Sequence, residues 1–170
     1  MKRTTLTAAY IAVIVAANWL TATFGLVPIG MGLAVTAGTF AAGAALVIRD
    51  GLQLQVGRLW MLTAILAGAL ISAVTSTPAL ALSSGIAFAA SELVDWAVFT
   101  PLRARSLPLA VLTSSVISAP IDTVLFLHLA GFGVTWQAAA GQFIVKTVIA
   151  LAAAGYLSLR GGAHAVPVRG

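Results

Sequence analysis

Six polar side chains interrupt the long apolar segments of this 170-residue chain, and their types could do chemistry. A charged or strongly polar group inside an apolar span is costly unless it is paired or hydrated, which makes such residues functional candidates. Carboxylates accept hydrogen bonds, an ammonium group donates them, and amides do both. We therefore predict that a polar ligand is bound by Asn18, Glu92, Asp95, Asp122, Gln142 and Lys146.

The positions of these residues along their segments place them at related depths. At 1.5 Å per residue, Asn18 lies roughly 13 Å, Asp122 roughly 12 Å and Lys146 roughly 16 Å from the predicted outer end of its segment. Glu92 lies roughly 20 Å deep on the same measure, with Asp95 one turn deeper. Gln142 shares a helix face with Lys146. Four segments therefore supply polar groups to one layer, as a cavity between helices requires.

Two alternatives stay open for these charges. Lys146 could form a purely structural salt bridge with Asp122 or Glu92. One base cannot neutralise three acids, however, and the surplus favours either a ligand that donates hydrogen bonds or a carboxyl that carries a proton. Asp95 could instead belong to the inner membrane interface, near the two arginines of the loop that follows its segment.

Six apolar segments must position these residues, and each is long enough to cross a membrane as a helix. They run from Leu6 to Val27, Met31 to Ile48, Leu59 to Ser76, Ala79 to Thr100, Leu107 to Ala130, and Thr135 to Leu159. The chain is 61% hydrophobic and 8% charged, whereas soluble domains carry about 25% charged residues. We predict an all-α integral membrane protein, with a bundle of six transmembrane helices in one domain (1–160) and a cytoplasmic tail (161–170).

Prolines and glycines are expected to end or interrupt these segments. Pro28 and Gly30 turn the chain after the first segment, and Pro101 closes the fourth. Pro120 cannot donate a backbone hydrogen bond and interrupts the fifth segment two residues before Asp122. Such an interruption is either a packing kink or irregular backbone that lines a cavity.

The basic residues indicate an orientation, because all except Lys146 fall on one side of a six-span arrangement. By the positive-inside rule, both termini of this multi-pass cell-membrane protein are cytoplasmic. The net charge of +5 then reflects orientation and indicates no nucleic-acid partner. Asp50 is explained by an ion pair at a helix end, and a cleaved signal peptide is disfavoured because no clear cleavage site precedes Pro28. The orienting bases are Lys2, Arg3, Arg49, Arg58, Arg103, Arg105, Arg160 and Arg169.

The sequence offers little for catalysis or metal binding. Cysteine is absent and there are two histidines, which excludes thiol chemistry and a His-rich metal cluster. A Gly-rich phosphate loop, a His-Glu-x-x-His motif and a Gly-x-Ser-x-Gly motif are also absent. We therefore predict a protein that is not an enzyme and that uses no cofactor and no metal.

Several short motifs follow one another along the six segments. They are Asn18-Trp19, Asp50 ahead of Gly57, Glu92-x-x-Asp95 followed by an aromatic residue and then Arg103, Ser118-x-x-x-Asp122-Thr123, and Lys146. In this order, over nearly its whole length, the chain resembles the queuosine precursor transporters, also called the vitamin uptake transporter family. It departs from typical members in its trimmed loops and in Arg49-Asp50, where Thr-Asp or Ser-Asp is commoner.

The resemblance implies import of 7-deazaguanine bases, which are precursors of a modified tRNA nucleoside. Such a base presents an N1–H and an exocyclic amine as adjacent donors, which Glu92 or Asp122 could accept. Asn18 and Gln142 could meet a ring nitrogen or the carbonyl, and Lys146 could donate to the carbonyl oxygen. The expected partners are this small molecule and the lipid bilayer, and the oligomeric state is not predicted.

Other interpretations stay open beside this one. Phe88, Trp19 and Trp96 are candidate stacking surfaces, although each could equally face lipid or the protein core. The main alternative function is a substrate-binding membrane subunit for a vitamin, which would need a separate ATPase because the chain has no nucleotide motif. A scaffold or a membrane enzyme is a third possibility.

Overall fold

The computed structural model describes residues 3–56 and 58–159, which form six helices and one short hairpin. The predicted tail at 161–170 lies outside the described residues, as do Lys2, Gly57, Arg160 and Arg169. The elements in chain order are α1 (Arg3–Phe24), β1 (Leu26–Gly30), β2 (Leu33–Thr36), α2 (Thr39–Val56), α3 (Arg58–Thr75), α4 (Pro78–Arg103), α5 (Leu107–Leu129) and α6 (Trp136–Leu159).

The helices of the described chain agree with a membrane protein in length and composition. Four of them, α1, α4, α5 and α6, are long and apolar enough to cross a membrane. Leu59–Thr75, which makes up nearly all of α3, is a shorter apolar helix. The described chain is therefore an all-helical bundle, apart from the hairpin, with helices of membrane-spanning length.

Local capping explains where α4 and α5 begin. The hydroxyl of Thr77 accepts from the backbone N–H of Leu80, and Ser106 accepts from Leu109 in the same way. A proline stands in the first turn of each helix, where its missing N–H is harmless. The prediction that Pro101 closes the fourth helix is wrong, because α4 continues through it to Arg103. A proline this close to the helix end removes little of the hydrogen-bond ladder.

The second predicted helix, Met31 to Ile48, is wrong at both ends. Its first residues form a turn and β2, which pairs antiparallel with β1 so that Leu26 stands opposite Thr36. Met31 and the glycines on either side of it have positive φ angles, and this backbone reverses the chain. The helix itself begins at Thr39 and continues to Val56.

This shift changes the place of two charged residues. Arg49 and Asp50, expected beside a loop, lie inside α2 and are each 1% exposed. Arg49 is therefore an interior residue and does not belong with the orienting bases. The predicted ion pair at a helix end is also wrong in its location, since Asp50 contacts Arg49 in the interior of the protein.

The six described helices close into a ring. Neighbours pack in the order α1, α2, α6, α5, α4, α3 and back to α1, so α2 and α4 lie on opposite sides. The outside of the ring is apolar and the inside holds the polar residues, which is the arrangement a lipid solvent favours. Large apolar side chains exposed on the outside include Leu66, Leu70, Val74, Leu82, Val148 and Leu151.

The hairpin fills the part of the ring between α1 and α6. β2 packs on α6, with the carbonyl oxygen of Ala34 against Gly141, and Gly38 packs against the carbonyl oxygen of Ala17. Non-helical backbone is tolerated at membrane depth when it is buried in protein or lines a cavity. The end of β2 meets this condition, because Val35 and Thr36 are buried and Thr36 borders the central cavity.

Candidate functional site

A small cavity lies inside the ring, where the hairpin meets five of the helices. Its volume is about 20 Å³, which is room for one or two waters. Four of the six predicted site residues border it, and they come from α1, α5 and α6. The lining comprises Ala17, Asn18, Thr21, Thr36, Gly38, Thr39, Ala42, Ser84, Phe88, Asp122, Phe126, Gln142 and Lys146.

Lys146 and Asp122 form a buried ion pair on one wall of this cavity. The Lys146 Nζ donates to Asp122 Oδ2 at 2.6 Å and to the hydroxyl of Thr123 at 2.8 Å. Both side chains are nearly fully buried. In a charge-assisted pair of this kind each group supplies the hydrogen-bonding partner that water would otherwise provide.

The two amides occupy the other walls. Asn18 donates to the hydroxyl of Ser72 on α3 at 3.0 Å, and Gln142 donates to the hydroxyl of Thr36 at 3.4 Å. The hydroxyls of Thr36 and Thr39 share a hydrogen bond of 2.9 Å. These contacts fix the orientation of both amide groups in the wall of the cavity. The hydrogen-bonding groups of the site are therefore held in place without a ligand.

A second group of buried charges, here called the ion cluster, consists of Arg49, Asp50, Glu92 and Asp95. Arg49 Nη2 lies 2.5 Å from Asp95 Oδ1, and Arg49 Nε lies 3.2 Å from Glu92 Oε2 and 3.5 Å from Asp50 Oδ1. Every member is at most 1% exposed. Because α2 and α4 face each other across the ring, Arg49 reaches through its interior to bind α4.

Glu92 and Asp95 belong to this cluster and do not border the cavity. Their predicted role in substrate binding stays a prediction. Asp95 is fully buried and forms an ion pair with Arg49. The alternative for Asp95 was a position at the inner membrane interface, near the two arginines of the following loop. The interior position of Arg49 was not predicted from the sequence. The adjacent acid, Asp50, was the one signal in the sequence that Arg49 could have a charged partner inside the protein.

Tyr10 on α1 belongs to a buried apolar cluster of the interior that also contains Phe88. It is fully buried, and its hydroxyl has no hydrogen-bond partner among the described residues. Arg49 and Glu92 of the ion cluster and Asp122 of the cavity are all near enough to act on this hydroxyl electrostatically. The cavity and the ion cluster are therefore close neighbours inside the ring.

The three candidate stacking residues differ in whether they border the cavity. Phe88 borders the cavity, whereas Trp19 and Trp96 are 49% and 40% exposed and face away from the interior. A second aromatic, Phe126, also borders the cavity and was not singled out from the sequence. An aromatic ring beside polar groups is the combination that a flat heterocyclic ligand requires.

Nothing among the described residues suggests a metal site, since no group of three or more His, Cys, Asp or Glu side chains is arranged to hold an ion. The cavity instead offers hydrogen-bond donors and acceptors from several helices around a small volume. This arrangement can bind a polar molecule.

The chain matches a known protein family over nearly its whole length. Residues 5–159 match the family described as Putative vitamin uptake transporter. The match covers all the described helices apart from the first residues of α1. No match was found among curated proteins or among solved structures.

Proposed function

Because the chain belongs to the vitamin uptake transporter family, we propose that it imports a queuosine precursor, a base of the 7-deazaguanine type, across the cell membrane. The family supports transport of a vitamin-like substrate, and the base is our own assignment. Import changes no bond of the substrate, so the proposed function is not that of an enzyme. It also needs no cofactor.

The cavity is the observation that carries this proposal. It joins an acid, a base and two amides from three helices with the ring of Phe88. Both charged groups are already neutralised by each other, so the ligand they favour is polar and uncharged. A purine-like base meets this description.

The hydrogen-bonding groups that border the cavity define the contacts of the proposed site. Asp122 Oδ1 would accept from the N1–H or the exocyclic amine, and Lys146 would donate to the carbonyl oxygen. Asn18 and Gln142 would meet the remaining ring atoms, and Phe88 would pack on the flat face. We propose these five residues as the substrate site.

The closed cavity fits one state of a transport cycle. A volume of about 20 Å³ holds water but is too small for a purine-sized ligand, since ligand pockets usually measure about 300 Å³ or more. Substrate entry therefore requires helices or the hairpin to move apart. We propose that the ring opens alternately toward each side of the membrane around this site.

We propose an orientation with six spans and both termini in the cytoplasm, in which the hairpin and α2 together make the second span. Arg58 at the start of α3 and Arg103 and Arg105 at the end of α4 then lie on one side. The turn at Met31 lies on the other side. The positive-inside rule favours the cytoplasm for the first side.

The test is uptake of labelled 7-deazaguanine by cells that lack its synthesis and express this chain. Asp122→Asn and Lys146→Met should each lower uptake roughly 10-fold or more, because a hydrogen bond to a charged group is worth about 1.5–3 kcal/mol. Val148→Leu is the matched control, because Val148 lies on the exposed side of α6, the helix that carries Lys146. This variant should retain uptake. Unchanged uptake in both site variants would refute this site.

Reconstitution of the purified chain in liposomes tests whether it works alone. We expect uptake without any ATPase. If uptake appears only after an ATPase and a second membrane subunit are added, the chain is a substrate-binding subunit instead.

A further inference from the structure

The ion cluster holds more negative than positive charge. Arg49 faces three carboxyls, those of Asp50, Glu92 and Asp95, and all four side chains are buried. Lys146, the other buried base of the described chain, is bound to Asp122. Leaving unbalanced carboxylates in a low-dielectric interior is strongly unfavourable, and a carboxyl in that position takes up a proton instead.

The distances indicate which carboxyl holds the proton. Asp95 and Glu92 approach Arg49 to 2.5 and 3.2 Å, whereas Asp50 lies 3.5 Å away. Asp50 is thus the carboxyl that lies farthest from the only cation of the ion cluster. Asp50 is therefore the carboxyl least stabilised as an anion.

Asp50 also has space beside it. It borders a second cavity of about 230 Å³ between α2, α5 and α6, near the start of α5 and the end of α6. Asp50 is the one charged residue among the described residues that line this cavity, which include Val47, Gly51, Val111 and Tyr156. The cavity gives the carboxyl room to turn and to exchange a proton at the end of the bundle where the orienting bases lie.

We propose that Asp50 is the proton-binding residue of this transporter and that substrate import is coupled to a proton carried there. The inference rests on the proposed function. The groups facing Asp50 are Arg49 on its own helix, Glu92 and Asp95 on α4, Tyr10 on α1, and Tyr156 on α6 across the second cavity. On α5 its neighbours in the cavity are apolar.

The helices that hold the ion cluster also line the substrate cavity. α2 contributes Thr39 to the cavity and Asp50 to the cluster, and α4 contributes Phe88 to the cavity and Glu92 to the cluster. Thr39 and Asp50 are roughly 16 Å apart along one helix. A separation of α2 from α4 that opens the cavity therefore also breaks the contacts of Arg49 with α4.

The proton step follows from this shared motion. While Arg49 binds Glu92 and Asp95, Asp50 is neutral and holds one proton on a carboxyl oxygen. When α2 leaves α4, water enters the opened space and solvates Glu92 and Asp95 as anions, while Asp50 becomes the nearest carboxyl to Arg49. The O–H bond of Asp50 then breaks and its proton passes to this water. One proton is bound and one is released in each cycle, and no electron is transferred.

The test uses the purified chain in liposomes with labelled 7-deazaguanine. One assay measures exchange of labelled for unlabelled base with equal pH on both sides. The other measures accumulation driven by acid outside, with a pH-sensitive dye inside. We expect the wild-type protein to exchange the base, to accumulate it several-fold above equilibrium, and to acidify the interior only when substrate is added.

Asp50→Asn should separate the two assays. We expect exchange within about twofold of wild type, because the variant keeps the shape of the side chain and does not border the substrate cavity, and we expect accumulation to be lost. Asp50→Glu restores a carboxyl and should recover accumulation with a shifted pH dependence, which also decides the matter if Asp50→Asn does not fold. Val148→Leu is the control for the preparation.

The outcomes distinguish the two proposals. Wild-type exchange without any gradient-driven accumulation would overturn the proton coupling and leave the import function standing. Accumulation by Asp50→Asn equal to wild type would overturn the role of Asp50. If the wild-type protein neither exchanges nor accumulates the base, the proposed function fails, and the proton coupling fails with it.

Discussion

Lys146 and Asp122 combine two tasks in one buried contact. Their ion pair neutralises both charges inside the ring, and the same atoms border the cavity proposed for the substrate. A buried pair is weak evidence for stability, because removing both partners together is often neutral. Removing one partner leaves an uncompensated charge, which is the costly case. The two tasks can therefore be separated by comparing single and double variants.

We predict that Lys146→Met lowers the free energy of unfolding by about 3–5 kcal/mol, because Asp122 is left as an unpaired buried carboxyl. The double variant Asp122→Asn, Lys146→Met should recover most of this loss while uptake stays abolished. Thermal unfolding in detergent measures the first effect and uptake in cells the second. Recovery of uptake in the double variant would mean that the pair is structural only.

Depth arithmetic on the sequence was sufficient to bring the polar residues of α1, α5 and α6 to one level. Asn18, Asp122 and Lys146 lie in continuous helices, so a constant rise per residue describes them. The predicted interruption of the fifth segment at Pro120 is wrong, because α5 continues through this proline. Depth arithmetic failed for Arg49, because the hairpin displaces the start of α2 and carries the arginine into the interior. Where the first residue of a helix is uncertain, the depth of a charged residue cannot be calculated from its distance to the neighbouring loop.

The hairpin fixes how closely the chain between α1 and α2 can approach α6. Gly141 allows this approach, because a side chain there would overlap the carbonyl oxygen of Ala34. The next residue, Gln142, donates to Thr36 at the end of the same strand. Gly141 and Gln142 of α6 thus together hold β2 beside the cavity.

We predict that Gly141→Ala displaces the hairpin, lowers the melting temperature and reduces uptake. The control is Gly155→Ala on the same helix, where a methyl group would meet no atom of another described residue within 4 Å. That substitution should keep uptake and add about 0.5–1 kcal/mol of stability, since alanine favours the helix more than glycine. Equal melting temperatures for the two variants would show that the hairpin does not need the close contact.

The hairpin could not be predicted from the composition of its residues. Residues 26–36 are as apolar as the helices around them, and a short apolar run does not distinguish a strand from a buried helix. Gly30 and Gly32 on either side of Met31 were the local sign of a reversal. The helices with proline or hydroxyl caps, by contrast, began within one residue of their predicted positions.

The whole ring is built with its polar side inward and its apolar side outward. This follows from the solvent, since lipid offers no hydrogen bonds and every polar group must find its partner inside the protein. All four acids of the chain therefore lie in the interior, together with Arg49 and Lys146. The overall fold class was predictable from composition alone for this reason.

The proposed orientation can be tested with single cysteines, because the chain has none of its own. We predict that Met31→Cys, which replaces an almost fully exposed side chain at the hairpin turn, reacts with a membrane-impermeant maleimide on intact cells. Arg105→Cys should react only after the membrane is permeabilised. The reverse labelling pattern would place both termini outside the cell.

The closed central cavity also bears on the membrane that surrounds the protein. A membrane stores energy as a voltage, and each charge that crosses 100 mV releases about 2.3 kcal/mol. A ring with an open polar interior would act as a conductor and dissipate that voltage continuously. With room for only one or two waters, the central cavity in this state is too small for a continuous column of water, and a ring closed in this way would preserve the voltage across the membrane.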